Sequence, residues 1–306
     1  MERPRTLSPS LLQACLKAAL AIVVAVGFTP AFQPIQAQAL EAQSSVEVGY
    51  DAELVFADNG ITETTAGPGY SISGTTLTIS AAGTYHISGT CTAGSIEVAK
   101  SLSGVTLVLD NLTLTASGTA PIVVKKSSNV TIHLLDGTTS TLTDSEDPDD
   151  ETSSDTTVAG AFEGAGVKAK SGSSCTFCGS GTLTVDGSAC KNGIKGAAAS
   201  TMIFKEGTYN VTAANNGIAA DGNVIINGGT FDIDAGNDGI KSVPDSDGTT
   251  SDGKVTITGG TFDIDAKGDG IQADAELNIS AGTFDITTLD GSTSTSFNSD
   301  SMSARA

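Results

Sequence analysis

From Cys190 to Leu289, apolar and polar residues alternate with a period of two, in short runs that end at glycine. In Val224-Ile225-Ile226 and Phe231-Asp232-Ile233-Asp234, every second side chain falls on the same side. That is the periodicity of a β-strand. Val224, Ile226, Phe231 and Ile233 form the inward set. The set recurs as Val255, Ile257, Phe262 and Ile264, then as Leu277, Ile279, Phe284 and Ile286, and is preceded by Met202, Phe204, Tyr209 and Val211. Ile194, Ile218, Ile240 and Ile271 add a further apolar column and a third strand per repeat.

The punctuation repeats as well. Asn/Asp-Gly-Ile stands at Asn192-Gly193-Ile194, Asn216-Gly217-Ile218, Asp238-Gly239-Ile240 and Asp269-Gly270-Ile271. Each copy is followed by Gly-Thr-aromatic, at Gly207-Thr208-Tyr209, Gly229-Thr230-Phe231, Gly260-Thr261-Phe262 and Gly282-Thr283-Phe284. Thr208 to Thr230 is 22 residues, Thr230 to Thr261 is 31, and Thr261 to Thr283 is again 22. A fixed period in the low twenties written in strand alternation is a solenoid signature. The pattern predicts an all-β chain of β-helix coils, each with three short strands and none able to bury its apolar face alone.

Upstream, Leu77-Thr78-Ile79 with Gly83-Thr84-Tyr85-His86-Ile87 is an early copy of the same coil. Val105 to Leu109, Leu112 to Leu114, Ile122 to Val124 and Val130 to Ile132 continue as strands. Degenerate capping sequence is expected at the N-terminal end. His86 and His133 fall at outward positions and read as lone surface histidines.

The outward residues carry the chemistry. Asn210, Asp232, Asp263 and Asp285 form one column, and Asp234 and Asp265 a second. Asn192, Asn216, Asp238 and Asp269 form a third, expected to face outward like the others. Stacked coils sit about 4.8 Å apart, where two carboxylates repel by roughly 1 kcal/mol in water and more in a drier setting. Repeating that cost predicts bound cations, and oxygen-only donors select Ca²⁺. Asp238, Asp269 and Asn216 are the metal candidates within the coils. The 31-residue step carries a nine-residue insertion, Asp245 to Gly253, whose Asp245, Asp247 and Asp252 resemble a short calcium loop but fail EF-hand spacing. Asp232, Asp263, Asp285, Lys195 and Lys241 are the candidates for ligand contact. Lys168, Lys195 and Lys241 each follow a Val or Ile at the third strand, where they either offset the acidic columns or supply a base for β-elimination.

Composition narrows the function. A formal charge of −20, with arginine only at Arg3, Arg5 and Arg305, excludes a nucleic-acid surface. Residues 1–39 read as a secretory signal, with Arg3 and Arg5 before the apolar run Leu16 to Phe28 and Ala37-Gln38-Ala39 as the cleavage site. An uncleaved anchor is the alternative; a run this short does not span a bilayer as a helix, and no transmembrane segment is expected in the mature chain. The protein is therefore expected to be secreted or cell-surface associated, with a β-helix over 40–291 and a Ser/Thr-rich tail over 292–306 that adds no coil. An open solenoid end is a sticky edge. Either the tail covers it or the chain belongs to something longer, and end-to-end self-association is a possible consequence. Cys91, Cys175, Cys178 and Cys190 read as buried packing cysteines, with a disulfide as the alternative. Cys175 and Cys178, three apart on a strand, point to opposite faces and do not suit zinc. Asp144 to Asp155 reads as a solvated acidic loop.

Gly83-Thr84-Tyr85, Val108-Leu109-Asp110, Asp136-Gly137-Thr138-Thr139, Leu142-Thr143-Asp144, Asn192-Gly193-Ile194-Lys195 and the Asp-Gly-Ile and Gly-Gly-Thr-Phe copies occur in that order. Together they resemble a bacterial family of secreted carbohydrate-binding proteins, over roughly Val46 to Asp290. The resemblance implies a right-handed parallel β-helix similar to calcium-dependent pectate lyases. It also implies bound Ca²⁺ at Asp238 and Asp269, with Asn192 and Asn216 as neutral counterparts, and affinity for plant-type polysaccharides such as cellulose and acidic pectin. Two function classes follow: a calcium-loaded, non-catalytic polysaccharide binder, and a calcium-dependent lyase using Lys168, Lys195 or Lys241. A purely structural stalk is a third.

Overall fold

The computed structural model describes residues 49–116, 118–145, 164–244, 252–289 and, as backbone, 302–304. The chain divides into Met1–Gly49 and Tyr50–Ala306, and the strands lie in the second unit. The N-terminal end is capped by antiparallel pairing, β1 (Ala52–Ala57) with β2 (Gly60–Thr65) and β3 (Tyr70–Ser73) with β4 (Thr76–Ile79). β5 (Gly83–Cys91), β6 (Ser95–Val98) and the long β7 (Val105–Ala116) open the solenoid. This is the degenerate cap the sequence predicts, and it closes one edge to further pairing.

From there each coil is three strands. The first is β8 (Ile122–Val124), β9 (Asn129–Leu134) and β10 (Thr139–Asp144). It is followed by β11 (Ala165–Ala169), β12 (Ser174–Cys178) and β13 (Thr182–Gly187), then by β14 (Asn192–Gly196), β15 (Thr201–Phe204) and β16 (Thr208–Ala213). Next come β17 (Ile218–Ala220), β18 (Asn223–Ile226) and β19 (Thr230–Ala235), then β20 (Ile240–Ser242), β21 (Lys254–Ile257) and β22 (Thr261–Ala266). The last full coil is β23 (Ile271–Ala273), β24 (Glu276–Ile279) and β25 (Thr283–Thr288). The tail was expected to add no coil, yet β26 (Met302–Ala304) stacks in parallel on β23.

First strands form one parallel sheet, while second and third strands form two arms that meet in β7. Val105 to Leu109 of β7 pairs with β9, and Thr113 to Ala116 pairs with β10. Between the halves Asn111 takes φ 48°, a left-handed conformation that asparagine tolerates better than most residues, and turns the corner.

The inward residues interlock from coil to coil. Phe231 stacks on Tyr209 at 4.9 Å and on Phe262 at 4.9 Å, and Phe262 stacks on Phe284 at 4.6 Å. Phe177 and Phe204 make a parallel stack at 4.6 Å beside it. Each fully buried aromatic or aliphatic side chain contributes roughly 1.5–3 kcal/mol. Cys175 lies in register with Met202 in this core, and all four described cysteines are buried, as expected of packing residues. In the last coil Leu277, Ile279 and Phe284 are only partly covered.

Two glycines explain the two repeated words. Gly229 has φ 109° and sets up the turn into Thr230-Phe231. Gly239 is needed for close approach, because a Cβ there would sit 2.4 Å from Ile264 Cγ2 and 2.6 Å from the Gly270 carbonyl. Gly239→Ala should therefore destabilise the fold by about 1–3 kcal/mol through overpacking, read as a lower urea midpoint at unchanged slope.

Candidate functional site

The outer face of the third strands is flat. Thr139, Thr182, Thr208, Thr230, Thr261 and Thr283 lie in register from β10 to β25. Beside them runs Thr184, Asn210, Asp232, Asp263 and Asp285. A third column holds Thr143, Asp186, Thr212, Asp234, Asp265 and Thr287. The columns repeat every 4.8 Å or so along the solenoid and about every 6.7 Å along a strand. Every side chain in them is short and polar, so nothing rises from the plane.

Charge gathers on the C-terminal half of this face, where Asp232, Asp234, Asp263, Asp265 and Asp285 are all exposed. Partial desolvation, and then the charges of Asp232, Asp285 and Asp265, push the Asp263 carboxyl above the usual carboxylate range. A raised folded-state pKa means that the native protein binds more protons than the unfolded chain. Stability is then fullest in acid and falls as pH rises through the Asp263 titration. Asp263→Asn should flatten that fall, measured as melting temperature without divalent cations between about pH 3.5 and about pH 7.

The third acidic column behaves differently from the expectation. Asp238, Asn192 and Asn216 are buried and Asp269 is half-buried, so the column lines the inside of a corner instead of the outer surface. Asn216 Nδ2 donates to Asn192 Oδ1 at 3.2 Å, and Asn237 Nδ2 donates to Asn216 Oδ1 at 3.0 Å. The Asp269 backbone N–H donates to Asp238 Oδ1 at 2.9 Å, and Lys241 Nζ donates to Asp238 Oδ2 at 2.8 Å. Asp238 and Asp269 are not a bare, mutually repelling pair: one carboxylate caps the other's backbone. The same use of a carboxylate recurs upstream, where Asp144, expected in a solvated loop, is buried and accepts the Ala165 N–H at 2.8 Å. Asp252 is buried, while Asp245 and Asp247 lie outside the described residues.

The lysines are also engaged. Lys195 and Lys168 are buried in register, and Lys195 Nζ pairs with Asp221 at 2.5 Å. The histidines are not lone either. His86 Nε2 lies 3.1 Å from Asp110 Oδ2 under the Tyr50 ring, and His133 Nδ1 lies 3.5 Å from Cys178 Sγ.

A family model described as carbohydrate-binding domain-containing protein matches residues 73–306. The chain belongs to that family. A carbohydrate-binding domain-containing protein of Acetivibrio thermocellus is 37% identical over 106 residues, which is 34% of this chain and 36% of the relative. The match thus spans about a third of that relative's length. Among solved structures, the polysaccharide lyase-like protein from C. thermocellum, in a gadolinium derivative, is similar with a TM-score of 0.67 and 29% identity. That likeness covers 83% of this chain and 94% of the other.

This carbohydrate-binding domain has no tryptophan, and two of its four tyrosines, Tyr85 and Tyr209, lie in the core. The flat face therefore presents hydroxyl and carboxylate groups, and no aromatic stacking platform. The sequence pattern supplied its acidic residues but not its threonine column, because threonine in a strand reads first as a β-former. Alignment of Gly-Thr-aromatic words across coils was the signal that could have found it.

Proposed function

We propose that the protein is a secreted or cell-surface, non-catalytic binder of acidic or cellulose-like polysaccharide. The observation that carries this reading is the flat, in-register face of threonines and aspartates. Its period along the solenoid suits a repeating polymer, and its functional groups are those that hydrogen-bond sugars. The signal-like segment 1–39 supports secretion.

Calcium enters on the chemistry of the donors. Asp232, Asp263 and Asp285 present exposed carboxylates one coil apart. Among the described residues, no three carboxylate, thiol or imidazole groups converge on one point. A cation there would be shared between coils and would complete its six to eight oxygens with water and ligand. Bound in that way it would bridge the protein to a uronate carboxylate. The Asp238 ladder fits less well, because both carboxylate oxygens already accept hydrogen bonds.

The lyase alternative needs a neutral lysine as base. Lys195 is instead held in an ion pair with Asp221, which occupies the nitrogen a base would use. The test is retention of the protein on insoluble polygalacturonate and cellulose, with and without chelator, alongside assay for unsaturated product. Calcium should strengthen retention on polygalacturonate, and Asp232→Asn/Asp263→Asn/Asp285→Asn should remove the calcium response without product appearing in either case. Retention indifferent to both chelator and the triple change would sink the calcium part, and steady release of unsaturated product would sink the non-catalytic part.

A further inference from the structure

The described phenylalanines, together with Tyr70, Tyr85 and Tyr209, all pack in or against the core. Tyr50 is the exception. It precedes β1 and is half-buried, with its ring 4.6 Å from the His86 imidazole at 33°. His86 points outward from β5, in register with Glu53 of β1 and Val108 of β7, and Val108 pairs onward with His133 of β9. The two rings therefore stand on the outer surface of the second-strand arm. The aspartate columns lie on the third-strand arm, around the corner made by Asn111. A ring placed outside the core gains little from burial, so packing does not account for its position.

The support beneath the ring is fixed on both sides. His86 Nε2 meets Asp110 Oδ2 at 3.1 Å, Asn111 Nδ2 donates to Asp110 Oδ1 at 2.9 Å, and the Thr139 N–H donates to Asn111 Oδ1 at 3.3 Å. This chain of bonds runs from β5 through the corner of β7 to β10. Glu53 is held as well, because its Oε2 accepts the Thr64 and Thr65 hydroxyls at 3.2 and 2.8 Å. Partial burial, and then the charges of Asp110 and Glu53, push the Tyr50 hydroxyl above its ordinary value, which sets both carboxylates close to the ring. His86 backs one face of Tyr50, and among the described residues no other ring lies against it. The result is a single aromatic surface, oriented in advance and edged by acceptors.

We propose that Tyr50, with Glu53 and Asp110 at its edge, is a second binding site, independent of calcium, for an uncharged sugar ring. That the ligand is a sugar rests on the reading above, while the site lies on a different face from the aspartate columns. The open face of Tyr50 receives the C–H face of a pyranose, and the two carboxylates accept bonds from its hydroxyls. The same carboxylates repel a uronate. β-Linked glucose suits the platform, because its ring hydroxyls are all equatorial and both of its faces present only C–H groups. The two faces of the solenoid thus divide neutral from acidic residues of a glycan.

The experiment is calorimetric titration of the full chain with cellotetraose in chelator, with tetragalacturonate as the comparison ligand. Cellotetraose should bind at least tenfold more tightly than tetragalacturonate. Bound cellotetraose should also shield tyrosine emission from quenching by acrylamide, since Tyr85 and Tyr209 are already buried. Tyr50→Ala should weaken binding at least tenfold at nearly unchanged melting temperature, and Tyr50→Phe should retain most of it. The triple aspartate change on the flat face should leave cellotetraose binding intact. Cellotetraose binding no tighter than that of tetragalacturonate, undiminished binding by Tyr50→Ala, or loss of binding in the triple variant would each overturn the site. Should Tyr50→Ala fail to fold, the quenching measurement on the unaltered chain decides, and emission quenched equally with and without cellotetraose overturns the site. Calcium-dependent retention on polygalacturonate would survive those failures, so the two readings stand or fall separately.

Discussion

Phe262→Ala is expected to cost about 3–5 kcal/mol of stability, enough to lower the urea midpoint sharply. Phe262 is 1% exposed and stacks on Phe231 at 4.9 Å and 5° and on Phe284 at 4.6 Å and 3°. Removing it breaks two stacks at once. The cavity cannot collapse, because strands above and below are held at fixed spacing by backbone hydrogen bonds from Thr261 to Ala266. In a solenoid the loss falls on the nearest-neighbour interfaces. Phe284→Ala, at the partly covered last coil, should cost less than half as much. Equal losses at the two positions would mean that the ladder does not carry the stability assigned to it.

Asp221→Ala should cost a comparable amount, about 3–5 kcal/mol, because it removes the carboxylate against which the Lys195 ammonium is buried. Lys195 and Asp221 each expose about 8% of their side chains and meet at 2.5 Å. The pair as a whole is a different matter: a buried ion pair roughly breaks even with a well-packed hydrophobic pair of similar volume. Lys195→Met/Asp221→Leu should therefore recover most of what Asp221→Ala loses, as seen in paired denaturation curves. A double variant as unstable as the single one would show that other contacts of these residues dominate.

The coil architecture was legible because its signal is redundant. Phe231, Phe262 and Phe284 fall in one column only if the steps of 31 and 22 residues are each one turn, and the structure pairs them so. The columns Asp232, Asp263, Asp285 and Asp234, Asp265 followed from alternation within regular strands. Asp238 and Asp269 were misplaced because alternation stops at corners. Each precedes its strand, β20 or β23, and the chain turns there so that the Asp238 carboxylate meets the Asp269 backbone N–H and the Asp269 carboxylate meets the Gln272 side-chain amide.

The antiparallel pairing of β1 with β2 closes one end, while every interior coil presents the same backbone edge to both neighbours. Such coils are interchangeable tiles. Excising Thr208 to Gly229, one 22-residue block, would place Thr230 over Thr182 and hand each survivor a partner of the kind it had before. The molecule can thus be lengthened or trimmed in whole increments of about 4.8 Å, so that duplication of a short gene segment sets how far its face reaches.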